Sequence, residues 1–462
     1  MNKQASQKSA GYWQPYLPAD TAPWNLKRVV HLHRRAGFVA TWNELQRDLA
    51  DGPEASIGRV ISGKARSEGV PAEFEQIAET IGQVAVTTQP ERLKAWWIYR
   101  MLFSPDPLTE RLSLVWHNHF ATSNLKVNDL AAMKQQNELF RELGRCPFGE
   151  LLKEVVQTPA LLIWLDAPTN RKGQPNENLA REVMELFTLG IGNYSEKDIK
   201  EAARALTGWT VSKQTFYNNR QRHDEEEKTI LGQTGRFDGD AFIEMLSAHP
   251  ATSHRLAWRI CQWLMGENVV STSGLDELAA GLLERRLDIG WAVETVLRSK
   301  AFFAEPNLGT RVSCPLEFVV AGVRALELFK RPPSTLVLAE WATRMGQDLF
   351  YPPNVGGWSG GRNWLSTQTI VARANFAVAL VQGELSPNGE PLDLAGFADR
   401  HGHGRDLEKA IIFFDQLFLG GQLVPEQRDR ILASARKMIA TPGEILRQAV
   451  ALLLAGPAAQ LA

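Results

Sequence analysis

Asn176–Trp209 reads NENLAREVMELFTLGIGNYSEKDIKEAARALTGW, and the spacing of its apolar residues sets the fold class. Asn176 or Asn178 can cap a helix, and Gly190 can end it in the left-handed conformation that glycine tolerates. On a helical wheel Leu179, Val183, Leu186 and Leu189 make an apolar face, with Arg181, Glu185 and Thr188 opposite or to one side. Glu182 falls between Leu186 and Leu189. A carboxylate there is paired, raised in pKa, or bound to something, because an unpaired buried charge is strongly unfavourable. An ion pair with a neighbouring Arg or Lys is the ordinary outcome, and a functional carboxylate is the other. A second helix opens at Ser195 with Asp198 in a capping-box arrangement, and runs Ile199, Ala202, Ala203 and Leu206 down one face to Gly208.

The same helical spacing recurs on both sides. Expected helices cover residues 24–35, 41–49, 71–81, 90–103, 107–118, 131–143 and 148–156 before the central pair. After it they cover 240–247, 252–265, 274–283, 291–299, 315–329, 336–345, 366–380, 406–417, 425–438 and 442–454, with Pro, Gly, Asn, Asp or Thr marking most ends. The fold expected is all-α and multi-helical, with one short β-hairpin or polar loop inserted at about 212–240. That insertion contains YNNRQRHDEEEK and follows directly on Thr207, Gly208 and Trp209, which places it near Glu182. A polar stretch at 384–405 reads as a linker between a main helical domain, 1–383, and a C-terminal helical unit, 406–462.

Composition limits the function. Lys plus Arg number 51 against 52 Asp plus Glu in 462 residues, without a long basic run, so nucleic acid is not an expected partner. Cys146, Cys261 and Cys314 are few and far apart, which fits neither a disulfide framework nor a cysteine zinc site. The opening MNKQASQKSAGYWQPYLP lacks the apolar core of a signal peptide, and no later run reaches the length of a membrane span, so the cytoplasm is the expected location. There is no P-loop, strand-associated GxGxxG, GxSxG elbow or HExxH.

Two further stretches can carry chemistry. Trp116-His117-Asn118-His119-Phe120 offers two imidazoles. If the helix ends by Trp116, extended backbone puts His117 and His119 on one face, where they can share a divalent metal. If the helix continues, His119 joins Leu112, Val115 and Trp116 as a hydrogen-bonded core histidine. Tyr351–Trp364, YPPNVGGWSGGRNW, holds Trp358, Arg362 and Trp364 among glycines, and reads as a stacking platform for a sugar or nucleobase or as a loop pinned by aromatic packing. The pairs His31 with His33 and His401 with His403 read as solvated or incidental.

WWIYRMLFSPDPLTERLSLVWHNHFATS, the central helix pair, HDEEEKTILG and YPPNVGGWSGGRNWL, in that order, resemble the bacterial domain of unknown function 1800 (DUF1800) family, from about His31 to Val381. The resemblance implies a predominantly helical protein, often encoded beside a protein of the domain of unknown function 1501 (DUF1501) family that looks like a sulfatase or phosphatase relative. Many relatives carry export signals, so export in complex with a signal-bearing partner stands as the second expected location. The motif positions it marks are His117, Asn118, His119, Asn178, Arg181, Glu182, Glu185, Thr207, Trp209, His223, Asp224 and Lys228. Two functions follow. One is an accessory or ligand-binding protein acting with a DUF1501 partner enzyme, with Asn178, Glu185, Trp209, Trp358 and Arg362 at the ligand. The other is a metal-assisted hydrolase-like enzyme with Glu182 as general base or ligand. There His117, His119 or His223 ligates or shuttles a proton, and Arg181 or Lys228, beside Asp224, stabilises an anion.

Overall fold

A computed structural model describes residues 11–437 and 440–462. The first ten residues, part of the stretch read for a leader, lie outside the described residues, as does Met438, the expected end of the helix at 425–438. The chain is mostly helical, and its strands form two small two-stranded antiparallel sheets.

The deciding stretch folds as a helix pair, with one correction. Asn178–Glu182 is α-helical, but Val183–Thr188 widens into a π-helix. Two bonds across five residues hold the wide turn: the Leu189 N–H donates to the Met184 carbonyl at 2.8 Å, and Thr188 Oγ1 donates to the Val183 carbonyl at 2.7 Å. The α-helical wheel therefore stops holding after Glu182. The buried side becomes Leu179, Ala180, Val183, Met184, Phe187 and Thr188, and Leu186 is left partly exposed. The partner helix Glu196–Ala205 keeps the expected reciprocal Ser195 and Asp198 cap and buries Ile199, Ala202 and Ala203.

The expected insertion is two hairpins. Trp209–Ser212 pairs with Thr215–Asn218, and Lys228–Ile230 with Gln233–Gly235. Each turns through two residues of positive φ, Lys213 with Gln214 and Leu231 with Gly232, the geometry that matches the twist of a tight hairpin.

Two apolar cores share the Leu26–Ala36 and Pro107–His119 helices. Val29, Val30 and Leu114 face one core, whereas Leu32, Ala36, Leu108, Leu112 and Trp116 face the other. The helices Thr367–Val381, Leu407–Leu419 and Pro442–Ala455 all bury residues in the first core. The expected linker carries a packed helix of its own, Leu394–Arg400, with Leu394, Phe397 and Ala398 buried there too. The chain end is tied back as well, since Arg373 donates to Gln460 Oε1 at 3.0 Å and the Ala462 N–H to the Arg311 carbonyl at 2.7 Å. Among the described residues no helix is long and apolar enough to cross a membrane.

Candidate functional site

Pro107 sits in the first turn of the Pro107–His119 helix, and Asp106 caps it by accepting the Thr109 N–H at 3.0 Å. Because the helix runs through His119, the two imidazoles leave it on different sides. His117 Nε2 accepts the Phe350 N–H at 3.3 Å, while His119 Nε2 donates to the Phe187 carbonyl at 3.0 Å. Burial pushes His117 down to about 3, and drives His119 well below the ordinary imidazole range with help from Arg259 and Arg255. Both rings are neutral packing elements set among aromatic side chains. The His117 and His119 metal pair expected from extended backbone does not fit this helix. Among the described residues no group of three or more His, Cys, Asp or Glu is arranged to hold a metal ion. Of the other two histidine pairs, His31 and His33 are buried, while His401 and His403 are partly exposed. His31 Nε2 donates to the Phe302 carbonyl at 3.1 Å, His33 Nε2 meets Asp48 Oδ2 at 2.7 Å, and His403 packs on Phe413.

Asn118, between them, fixes the glycine-rich loop. Its Oδ1 accepts the Trp358 N–H at 2.7 Å and its Nδ2 donates to the Trp358 carbonyl at 3.3 Å. Gly357 makes the close approach possible. Its φ is +77°, and a Cβ there would lie 2.6 Å from the Asn118 carbonyl oxygen. The loop so held closes one side of a cavity of about 330 Å³. Arg111, Leu114, Val115 and Asn118 of the first helix form a second wall, and Arg255, Trp258, Arg259, Gln262 and Trp263 of the Pro250–Leu264 helix a third. Arg311, Cys314 and Glu317 at the start of the Pro315–Ala325 helix complete it, opposite Trp358 and Trp364.

Charge in this cavity is unevenly matched. Glu317, 4% exposed, accepts Arg311 Nη2 at 2.9 and 3.0 Å and is also paired with Arg111. Arg255 reaches only the Leu186 carbonyl, at 3.4 Å, and Arg259 has no hydrogen bond or ion pair among the described residues, its Nε being buried without a partner. Burial and the neighbouring Arg255 pull Arg259 down to about 10, which leaves it a cation at neutral pH.

The residues expected from sequence divide into separate groups. Glu182 makes no ion pair among the described residues; burial first, then Glu185, raises its pKa, while Arg181 opposes the rise. Arg181 pairs instead with Glu196 and Glu177. Glu185 accepts the Tyr194 hydroxyl at 2.6 Å, and Asn178 donates to Asp166 at 3.2 Å. His223, Asp224 and Lys228 do come together, around Thr207 and Arg204. His223 Nδ1 lies 2.9 Å from the Thr207 carbonyl, Arg204 Nε donates to Asp224 at 2.8 Å, and Lys228 Nζ donates to the Asp224 carbonyl at 2.5 Å. That cluster ties the hairpins to the Glu196–Ala205 helix and contains neither Glu182 nor His119. Trp209 is a core residue with Gly239 directly beneath its ring. Trp358 lines the cavity, whereas Arg362 is exposed outside its walls. The unremarked residues are Arg111, Arg255, Arg259, Arg311 and Glu317. Their one sequence signal is the arginine pair four apart in HRLAWRICQW, which shares a helix face.

The fold and this cavity characterise a multi-helical protein with a half-open polar and aromatic pocket. Residues 31–461 match the family described as protein of unknown function (DUF1800), and the chain belongs to that family. No curated protein and no solved structure matches it.

Proposed function

We propose that this is a ligand-binding protein whose site is the cavity between the Pro107–His119 and Pro250–Leu264 helices, and that it acts as an accessory to a partner enzyme. One observation supports the reading. A space of about 330 Å³, the size of a small-metabolite site, is walled by arginine and tryptophan side chains that neighbouring helices hold in place. A structural core fills such space with aliphatic side chains, whereas here Arg259 lines it with no hydrogen bond or ion pair among the described residues. The partner class is the one the family resemblance implies, a DUF1501 protein. The expected location is the cytoplasm, or outside it when carried by a signal-bearing partner, and fractionating cells with and without that partner distinguishes the two. A hydrolase built on Glu182 with His117, His119 or His223 finds no comparable support, because the three histidines each engage a different partner and none of them meets Glu182. Native mass spectrometry of gently purified protein, alone and co-expressed with the adjacent DUF1501 protein, tests the proposal. A bound small molecule and a stable complex are expected; ligand-free protein that ignores the partner would defeat it.

A further inference from the structure

We propose, resting on the reading of the cavity as a ligand site, that its ligand is a small organic dianion whose oxyanion group is held by Arg255 and Arg259. Four guanidinium groups line the cavity against two carboxylates, Glu317 and Glu267, so the walls carry an excess of two positive charges. Glu317 is occupied by Arg111 and Arg311. Glu267 is exposed, and among the described residues it is not ion-paired with Arg255 or Arg259. Arg255 and Arg259 are thus left facing one space.

The pair is held for recognition. They stand four residues apart on one helical face, and their guanidinium carbons lie 4.8 and 5.2 Å from the Trp258 ring centroid. Like charges so placed repel one another, and an anion between them removes the repulsion. Solvation explains a surface arginine, but Arg259 Nε is buried without a partner. Attraction to the carbonyl end of the helix explains a cation near Leu264, yet it gives Arg259 no acceptor. A planar guanidinium fork matches the paired oxygens of a carboxylate or phosphate, and two forks match a group of charge minus two.

The test titrates the full chain at pH 8 with phenyl phosphate, inorganic phosphate and benzyl alcohol, by calorimetry and by tryptophan fluorescence. Phenyl phosphate is expected to bind at least about tenfold more tightly than benzyl alcohol, with inorganic phosphate between them. Arg259→Gln is expected to weaken phenyl phosphate by about tenfold or more and Arg259→Lys by less. Arg285→Gln, an exposed arginine stacked on Trp291 elsewhere, leaves binding unchanged. If benzyl alcohol binds as well as phenyl phosphate, the cavity remains a ligand site and the dianion inference is wrong. Unchanged phenyl phosphate affinity in folded Arg255→Gln/Arg259→Gln protein overturns it too, and binding of none of the three probes removes both readings.

Discussion

Asn118 grips Trp358 by both ends of its amide, accepting the Trp358 N–H at 2.7 Å and donating to its carbonyl at 3.3 Å. One side chain at the end of a core helix thereby sets the position of a loop about 240 residues away in sequence. Asn118→Ala removes both bonds and leaves a nearly buried backbone pair without partners, at a cost of about 1–3 kcal/mol. Asn118→Asp keeps the acceptor and should lose less. Urea unfolding gives the two stabilities, and a red shift in tryptophan emission should accompany the larger loss as Trp358 becomes exposed.

Gly357 tests the same contact from the loop side. A side chain there meets an unfavourable backbone conformation, worth about 1–2 kcal/mol, and a steric conflict with the Asn118 carbonyl. Gly357→Ala should therefore destabilise by more than the conformational term alone. In the double variant with Asn118→Ala the conformational term and the conflict with the backbone carbonyl persist, so the two losses should fall short of additive only by the part that belongs to the shared Asn118–Trp358 contact. Full additivity of the two losses would show that they report different features.

His117 supplies a pH prediction. Its folded pKa is about 3, while an unfolded histidine titrates near 6.5, so the unfolded chain takes up a proton first as the pH falls. The associated stability is complete above about pH 6.5 and declines by about 1.4 kcal/mol per pH unit below it. Glu327 and Asp415, raised to about 7 and about 6 by burial, act in the opposite direction, gaining stability as they protonate. The clean quantity is therefore the difference between wild type and His117→Gln. That difference should shift in the variant's favour from pH 6.5 to 5, measured by urea unfolding; a constant difference would mean the ring is protonated in the native protein.

Glu182 titrates with the opposite sign. Burial and the nearby Glu185 raise its carboxyl above the usual range. A raised carboxyl leaves the protein most stable where it is protonated, and stability falls as the pH rises through the folded value. Glu182→Gln removes that loss. The variant should melt higher than wild type at pH 7.5, and the gap should close toward pH 4, as differential scanning calorimetry can follow. A lower melting temperature at pH 7.5 would mean that the ionised carboxylate has a partner in solution.

Helix type and most helix positions are legible in the sequence because apolar spacing and caps are local. Ser195 with Asp198, Pro107 and Gly190 all act where they were read. The π-turn after Glu182 is not legible, since VMELFT fits an α-helix equally well and the wide turn is fixed by bonds from Thr188 and Leu189. No helix is expected over residues 53–61, yet Pro53 opens a second helical run there after the break at Gly52. The 384–405 segment reads as a linker in sequence because its polar residues outnumber the few that reach the core, Leu394 and Phe397 among them. For the site, the HNH and glycine-rich motifs were visible as motifs, but their joint role is a contact between distant segments. The arginines were hidden for the same reason: a helix face shows which residues are neighbours, not which cavity they enter.

Glu317 is the remaining test of how charge is arranged in that cavity. Among the described residues it is the only carboxylate paired with Arg111 and Arg311, whose side chains are 2% and 12% exposed, and its Oε2 also accepts the Cys314 N–H at 2.9 Å to cap the Pro315–Ala325 helix. Glu317→Gln retains the cap acceptor and the shape, and removes the charge. Two guanidinium groups then stand in the wall without a counter-ion, a change that costs about 3–5 kcal/mol when a buried pair is broken. Chemical denaturation should show a loss of that order. Phenyl phosphate should restore more stability to Glu317→Gln than to wild type, because the variant cavity carries one more uncompensated positive charge. Equal stabilisation of the two proteins would mean that the anion does not sense this wall, and would place it outside the cavity.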